Sequence, residues 1–356
     1  MPNIVAEWSR RARVVAVACT LAPLGGCYVL QAASGQAQVL ARSEPIEQVI
    51  ADADTPAATR ERLELARDAR EFAIRELGLP DGRSYQTYAD LGRRYVVWNV
   101  VATRPFSVQT VRWCYPVAGC VAYRGYFDED SARAAAARLR RSGHDVTVGG
   151  VATYSTLGHL PDPLFNTMLG WRETRFVGTI FHELAHERLY LPGDSEFNEA
   201  YASVVEAAGV RLWLAERGRG HEVAAYDLAL EREAEFAVLL RSTRKELARL
   251  YRSGRPRAEL DVEKQRAFGV LKFRYEGLRQ VWGGYGGYDA WFARTLNNAH
   301  LASVATYHDC VPGLFGELEA AGSLEAFHAR AEELARLPRD ERHAAVCRLR
   351  SGARSP

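Results

Sequence analysis

Phe181-His182-Glu183-Leu184-Ala185-His186 carries the residue types and spacing most able to do chemistry in this chain. It is an H-E-x-x-H motif. On a helix, residues four apart share one face about one turn from each other. Both imidazoles can then reach a single zinc ion. Glu183 stands where a zinc hydrolase keeps its general base. Phe176, Val177, Ile180, Phe181, Leu184 and Ala185 make the segment largely apolar. A polar pair buried in such a helix is costly without partners, and a metal supplies them.

The third ligand has four candidates: Asp194, Glu196, Glu199 and Glu206. Two antiparallel helices turning at Leu191 to Phe197 would set a residue early in the second helix opposite His186. Glu199 meets that condition. Glu206 falls two turns further, ~10 Å along the axis. It suits a group that holds a ligand histidine, or a substitute ligand. Asp194 and Glu196 lie in the turn, where solvent exposure accounts for them. The expected shell is therefore His182, His186 and Glu199 with an open water position, Zn2+ as cofactor and a peptide as substrate. Glu183 would take a proton from the attacking water and pass it to the leaving amine. The oxyanion needs a further donor. Tyr307 or His308 could return from the C-terminal region for this, with Tyr307 favoured. Tyr154, Tyr201 and Tyr285 are rivals, and packing is the plainer role for any single tyrosine.

The elements that must position this site read as α+β, zincin-like, with a small mixed sheet before the H-E-x-x-H helix and a mostly helical C-terminal half. Tyr28 to Ile50 and Thr59 to Leu77 have helical spacing. Tyr95 to Ala102, Ser107 to Trp113, Cys120 to Phe127 and His144 to Tyr154 read as strands. Ser131 to Ser142 reads as a helix with Asp130 near its N-cap. The site helix spans Thr174 to Leu189, and a second runs from Asn198 to Glu216. His221 to Arg252 and Arg257 to Trp282 form an amphipathic hairpin whose charges are most simply a solvated face. Short helices fill Asp289 to Arg350. The expected organisation is a signal peptide over 1–26, a catalytic region over 27–220 and a helical region over 221–350.

The chain has 356 residues, 47% of them hydrophobic, and a formal net charge of +2. That is enough apolar content for a substantial core. No basic block points to nucleic acid. Arg10, Arg11 and Arg13 precede a short apolar run, Val14 to Leu24, as in a secretory signal peptide. The run is shorter than the ~20 residues a membrane span needs. It ends in Leu24-Gly25-Gly26-Cys27, which looks like a bacterial lipobox. Lipid on Cys27 would tether the chain to a membrane without a spanning helix. Tyr28 is not the Asp of an inner-membrane retention signal, so the expected location is the periplasm, on the outer membrane. That compartment is oxidising, and four cysteines remain to pair in three ways. Proximity favours Cys114 with Cys120 and Cys310 with Cys347.

These residues resemble the bacterial putative aminopeptidase family, lipoprotein zinc peptidases of proteobacteria. The likeness rests on Gly26-Cys27-Tyr28, Leu30-Gln31-Ala32-Ala33, Trp113 to Cys120, Tyr123 to Phe127, Tyr154 to Gly158 and Phe181 to His186. Asn297-Asn298-Ala299 and Leu301 to Tyr307 also fit. The resemblance implies a zinc metallopeptidase. Asn198-Glu199-Ala200-Tyr201-Ala202 is similar to the glutamate-ligand segment of gluzincin aminopeptidases. The interval from His186 to Glu199 is shorter than theirs, Ser203 stands where some carry Asp, and no G-x-M-E-N-like segment is present. Two alternatives stay open: an endopeptidase or cell-wall peptide amidase, and a non-enzymatic envelope lipoprotein with a structural zinc.

Overall fold

Apolar residues at helical spacing build most of this chain, and 63% of its described residues are helical, with small sheets, a mixed α+β fold. The computed structural model describes residues 26–115, 119–156, 160–304 and 310–347. The first 25 residues, and with them the predicted signal segment up to its last residue, lie outside that range, as do Tyr307 and His308.

In chain order the elements are α1 (Gly26–Ala41), β1 (Ser43–Pro45), α2 (Ile46–Ala51), α3 (Ala57–Leu77), β2 (Thr87–Ala89), β3 (Val97–Thr103), β4 (Trp113–Tyr115), β5 (Gly119–Val121), β6 (Arg124–Tyr126) and α4 (Glu129–Arg141). Then follow β7 (Asp145–Val151), β8 (Leu164–Phe165), α5 (Glu173–Arg188), α6 (Ser195–Glu216), α7 (Val223–Tyr251) and α8 (Arg257–Val281). The chain continues through α9 (Asp289–Phe292), α10 (Asn298–Val304), α11 (Val311–Ala321), α12 (Leu324–Arg336) and α13 (Arg339–Val346).

The strands form three separate small sheets among the described residues, not one mixed sheet. One has the order β1-β2-β8, antiparallel then parallel. The second, β6-β3-β7, is antiparallel throughout. The third is the β4–β5 hairpin, cross-linked by Cys114–Cys120.

Four local expectations need correction. Tyr28 to Ile50 is not one helix, because Pro45 lacks the N–H a helix interior requires and β1 intervenes. Ser107 to Trp113 is not a strand before Trp113; only Thr110 bridges, to Thr103, after the turn at Pro105. Cys120 to Phe127 is two strands, broken at Ala122 and Tyr123. The N-cap of α4 is Asp128, whose carboxylate accepts from Ser131 N at 2.7 Å, not Asp130.

Three apolar clusters hold these elements. The largest joins Phe72 and Leu77 of α3, Phe176 and Phe181 of α5, Trp213 of α6, Leu314 of α11 and Phe327 of α12. Burying each such side chain contributes about 1.5–3 kcal/mol. Helices α5 and α6 are thus wrapped by elements from both ends of the chain. The α7–α8 hairpin has its own cluster around Leu240, Leu247, Leu271 and Tyr275. The third packs Ala132, Ala135 and Ala136 of α4 onto Val100 and Val146 of the antiparallel sheet. Cys310, before α11, is disulfide-bonded to Cys347, after α13.

Candidate active site

The register between α5 and α6 decides which side chains meet. Trp213 Nε1 donates to Glu173 Oε1 at 3.0 Å, joining the end of α6 to the start of α5. A turn and a half along α5, a Cβ at Gly178 would lie 2.9 Å from Glu206 Oε1 and 3.2 Å from Val210 Cγ2. A Cβ at Gly209 would meet Leu77 Cδ1 at 2.6 Å and Phe181 Cδ2 at 2.9 Å. Both glycines let the two helices approach more closely than a side chain would permit. The partners' numbers fall along α6 as they rise along α5, so the helices are antiparallel.

That register brings His182 and His186 opposite Glu199. The two rings lie 4.8 Å apart, centroid to centroid. His182 Nε2 is 3.4 Å from Glu199 Oε2, and His186 Nε2 is 3.7 Å from Glu199 Oε1. One donor atom from each of the three lies within 4.8 Å of the others. Tetrahedral zinc with bonds of ~2.0–2.1 Å separates its ligands by roughly 3.4 Å. The set therefore fits such an ion, and its charges also fit. Two carboxylates, Glu199 and Glu206, flank His182 at 3.4 and 3.0 Å. Burial lowers the His182 pKa, but hydrogen bonds to Glu199 and Glu206 outweigh it and hold it up at about 10. Burial raises the Glu199 carboxyl, and the two imidazoles reverse this and hold it down at about 2. The pocket is thus built for a positive charge among anionic oxygens.

The other groups are arranged around this centre. Glu206 Oε2 engages the far nitrogen of His182, Nδ1, at 3.0 Å. His186 Nδ1 is buried without a hydrogen-bond partner among the described residues. Burial pushes the Glu183 carboxyl up, more than the neighbouring histidines lower it. A carboxyl raised in this way holds a proton more readily than an ordinary carboxylate, as a general base that must also return one requires.

The turn between the helices is pinned from both sides. Leu191 N donates to Asn198 Oδ1 at 2.9 Å, and Asn198 Nδ2 donates to Leu191 O at 2.8 Å. Asp194 caps α6, accepting from Phe197 N. Its carboxylate also accepts from Arg342 Nη2 at 2.6 Å and His343 Nε2 at 2.7 Å, both on α13. Glu196 Oε2 lies 3.4 Å from His343 Nδ1. Asp194 and Glu196 are therefore occupied away from the histidine pair.

Of the expected oxyanion donors, Tyr307 and His308 lie outside the described residues. Tyr154 donates to Gln36 Oε1. Tyr201 is buried and shares a 2.8 Å hydrogen bond with His328. Tyr285 lies under the Arg232 guanidinium, beside Trp282. All three rivals are thus engaged elsewhere.

Three tyrosines and an aspartate near the site have no role assigned from the sequence. Tyr190, 42% exposed, lies edge-on to His186 with centroids 6.2 Å apart. Tyr123, at the break between β5 and β6, is 47% exposed; partial burial, then the Glu199 charge, raise its hydroxyl. Tyr85 is the one non-glycine residue with positive φ among those described, at 59°. Its hydroxyl is buried without a partner, and burial, then the Glu183 charge, push it well above its ordinary value. Strained backbone of this kind persists where its surroundings over-determine it. Here the surroundings are Asp162, whose carbonyl accepts from Tyr85 N at 2.8 Å. The Asp162 carboxylate in turn accepts from Ser155 Oγ, Thr156 N and Thr156 Oγ1 at 2.9, 2.7 and 2.8 Å. It fastens the start of the Thr156 to Pro163 loop.

Two imidazoles and three carboxylates converging between the core helices of an α+β chain form the side-chain inventory of a hydrolase. The chain belongs to the putative aminopeptidase family, whose model matches residues 27–346. No curated protein and no solved structure matches it.

Proposed function

We propose that this chain is a zinc metallopeptidase with a zincin-like catalytic region, held on the periplasmic side of a bacterial membrane by lipid on Cys27. The observation that carries the hydrolytic reading is the meeting of His182, His186 and Glu199 beside Glu183, with one donor atom from each ligand inside 4.8 Å. Zinc bound there supplies a Lewis acid that polarises a carbonyl and acidifies water. The chain's own residues do the rest. Glu206 fixes the ring of His182 through Nδ1. Glu199 stays ionised as an anionic ligand. Glu183 accepts a proton from water as its oxygen bonds to the peptide carbonyl carbon. It then delivers that proton to the leaving nitrogen as the C–N bond breaks. Tyr307 is the proposed donor to the oxyanion, with Tyr123 and Tyr190 beside the metal ligands as walls for the substrate.

A structural zinc needs no adjacent base, so Glu183 favours catalysis over a purely structural role. The test compares wild type with Glu183→Gln at equal zinc occupancy in a peptide-library digest read by mass spectrometry. Loss of cleavage in the variant supports the mechanism, and equal cleavage overturns it. The aminopeptidase reading rests on the family's name. It requires that N-acetylated peptides resist cleavage while free ones are cut; equal cleavage would make the enzyme an endopeptidase or a cell-wall peptide amidase.

The lipid anchor is supported by the Leu24 to Cys27 pattern and by a family match that begins at Cys27. Two disulfides suit an oxidising compartment. Among the described residues no helix is long and apolar enough to cross a membrane. Cys27→Ser, or globomycin treatment of cells, should release the protein from membranes; unchanged partition would end the anchor proposal.

A further inference from the structure

A cavity of about 440 Å³ lies apart from the histidine pair. It opens between α4, the edge strand β7 and the segment entering α10. Arg133 and Arg140 come from α4, Thr147 from β7, and Arg294, Asn297 and His300 from the α10 side. Three arginines line it and no acidic residue does. Arg133 is paired with Glu129 one turn away. Arg140 and Arg294 have no carboxylate within ion-pair distance among the described residues. The nearest acid along the chain, Asp145, is turned inward. It accepts from Lys264 Nζ at 2.6 Å and from Asn298 N at 3.0 Å.

The cavity is assembled by a motif for which the hydrolytic site has no use. Asn298 locks the start of α10 to the body: its Nδ2 donates to Pro105 O at 2.9 Å, and Tyr251 donates to its Oδ1 at 2.8 Å. Asn297 Nδ2 donates to Val146 O on the unpaired edge of β7 at 3.3 Å, and Arg140 reaches the same carbonyl at 3.4 Å. His300, 7% exposed, is held at Nδ1 by Asn297, whose N lies at 3.2 Å and Oδ1 at 3.0 Å, and its Nε2 makes no hydrogen bond among the described residues. Burial, then the charges of Arg294 and Arg140, hold its pKa down at about 4 against the opposing charge of Asp145, so the ring is neutral at pH 7. Neighbouring guanidiniums repel each other, and a cavity that gathers them without a carboxylate is electrostatically complementary to an anion. Guanidinium forks match the oxygens of a phosphoryl group, and several forks together favour a multiply charged anion over a single carboxylate.

We propose that this cavity is a binding site for a phosphoryl group, held by Arg140 and Arg294 with Arg133 at the rim and the Asn297–His300 turn as its floor. The group can be part of a soluble phosphate compound or of an anionic lipid headgroup. The test titrates the purified full chain with inorganic pyrophosphate in low salt by calorimetry. It also measures sedimentation with phosphatidylcholine vesicles with and without phosphatidylglycerol. The variants are Arg140→Gln, Arg294→Gln and, as a control on the same helix outside the cavity, Arg141→Gln. All three positions are exposed, and thermal melting verifies that each variant folds. Saturable pyrophosphate binding that weakens about tenfold or more in Arg140→Gln and Arg294→Gln but not in Arg141→Gln supports the site with a soluble ligand. The same dependence seen only on anionic vesicles supports the site with a headgroup. Absence of binding in both arms, or equal losses in all three variants, overturns it.

Discussion

Glu206 Oε2 sits 3.0 Å from His182 Nδ1, on the opposite side of the ring from the nitrogen that faces Glu199. One imidazole is thus held between two carboxylates carried two turns apart on a single helix. Removing a carboxylate of this kind usually weakens metal affinity about 10–100-fold. Glu206→Gln is expected to lower zinc affinity by that order while leaving one ion per chain at saturation. Glu199→Ala removes a ligand and should abolish stoichiometric binding. Competition with a chromogenic chelator reads both.

Glu183 makes no metal contact in the proposed mechanism. Glu183→Gln should retain zinc and lose roughly 10²–10⁴-fold in kcat, the usual worth of a general base. Single-turnover peptide hydrolysis at matched zinc content measures it.

The two close-approach glycines separate site geometry from packing. Alanine at either gains about 1 kcal/mol in helix propensity. Against this, overpacking costs about 1–3 kcal/mol. At Gly209 the new methyl meets Leu77 and Phe181, both buried and unable to yield. Gly209→Ala should lower the melting temperature with zinc affinity unchanged. At Gly178 the methyl meets the movable end of the Glu206 side chain at 2.9 Å, with Glu206 Cγ and buried Val210 Cγ2 each at 3.2 Å, which need yield by only a few tenths of an ångström. Gly178→Ala should cost less stability than Gly209→Ala and weaken zinc binding, because Glu206 is pushed from His182. Melting curves and chelator competition on both variants test the contrast.

Asp194 couples the glutamate helix to pH. Burial raises its carboxyl, but hydrogen bonds from His343 and Arg342 outweigh this and hold it below the ordinary carboxylate range. The folded state then binds fewer protons than the unfolded chain near this group. Its stabilisation is full above the unfolded value of ~3.9 and is lost as pH falls through the lower folded value. Asp194→Asn leaves the buried Arg342 with its backbone acceptors Ala335 O and Leu337 O but without this counter-charge, and should cost up to about 3–5 kcal/mol at pH 7. The variant's loss should shrink below pH 4, measured by urea unfolding across acid pH.

Much of the candidate site could be read from sequence because it is local. His182 and His186 share a helix face by spacing alone. Glu199 and Glu206 follow from one short turn and the 3.6-residue period. The helices from Ala57 to Leu77 and from Val223 to Val281 were legible for the same reason. What escaped depends on partners far along the chain. Asp194 reads as a turn residue until His343, 149 residues on, is seen against it. Tyr85 gives no sign of its φ of 59°, because Asp162 imposes it from the other side of the antiparallel sheet's strands in sequence. Ser107 to Trp113 has strand-like composition, yet no neighbouring strand pairs along it, and propensity alone cannot supply one.

The clamp on Asp194 also sets an order of events. A chain synthesised from its N-terminus reaches both histidines and both glutamates long before it reaches Arg342, 148 residues after Asp194. Until α13 arrives and Cys347 finds Cys310, the start of α6 has its cap but no ion-pair anchor. The turn beside the candidate site therefore gains this anchor only after nearly the whole chain has been made. A nascent chain would carry the candidate ligands on α5 and α6 with the turn between them not yet clamped, and the clamp closes only as α13 docks.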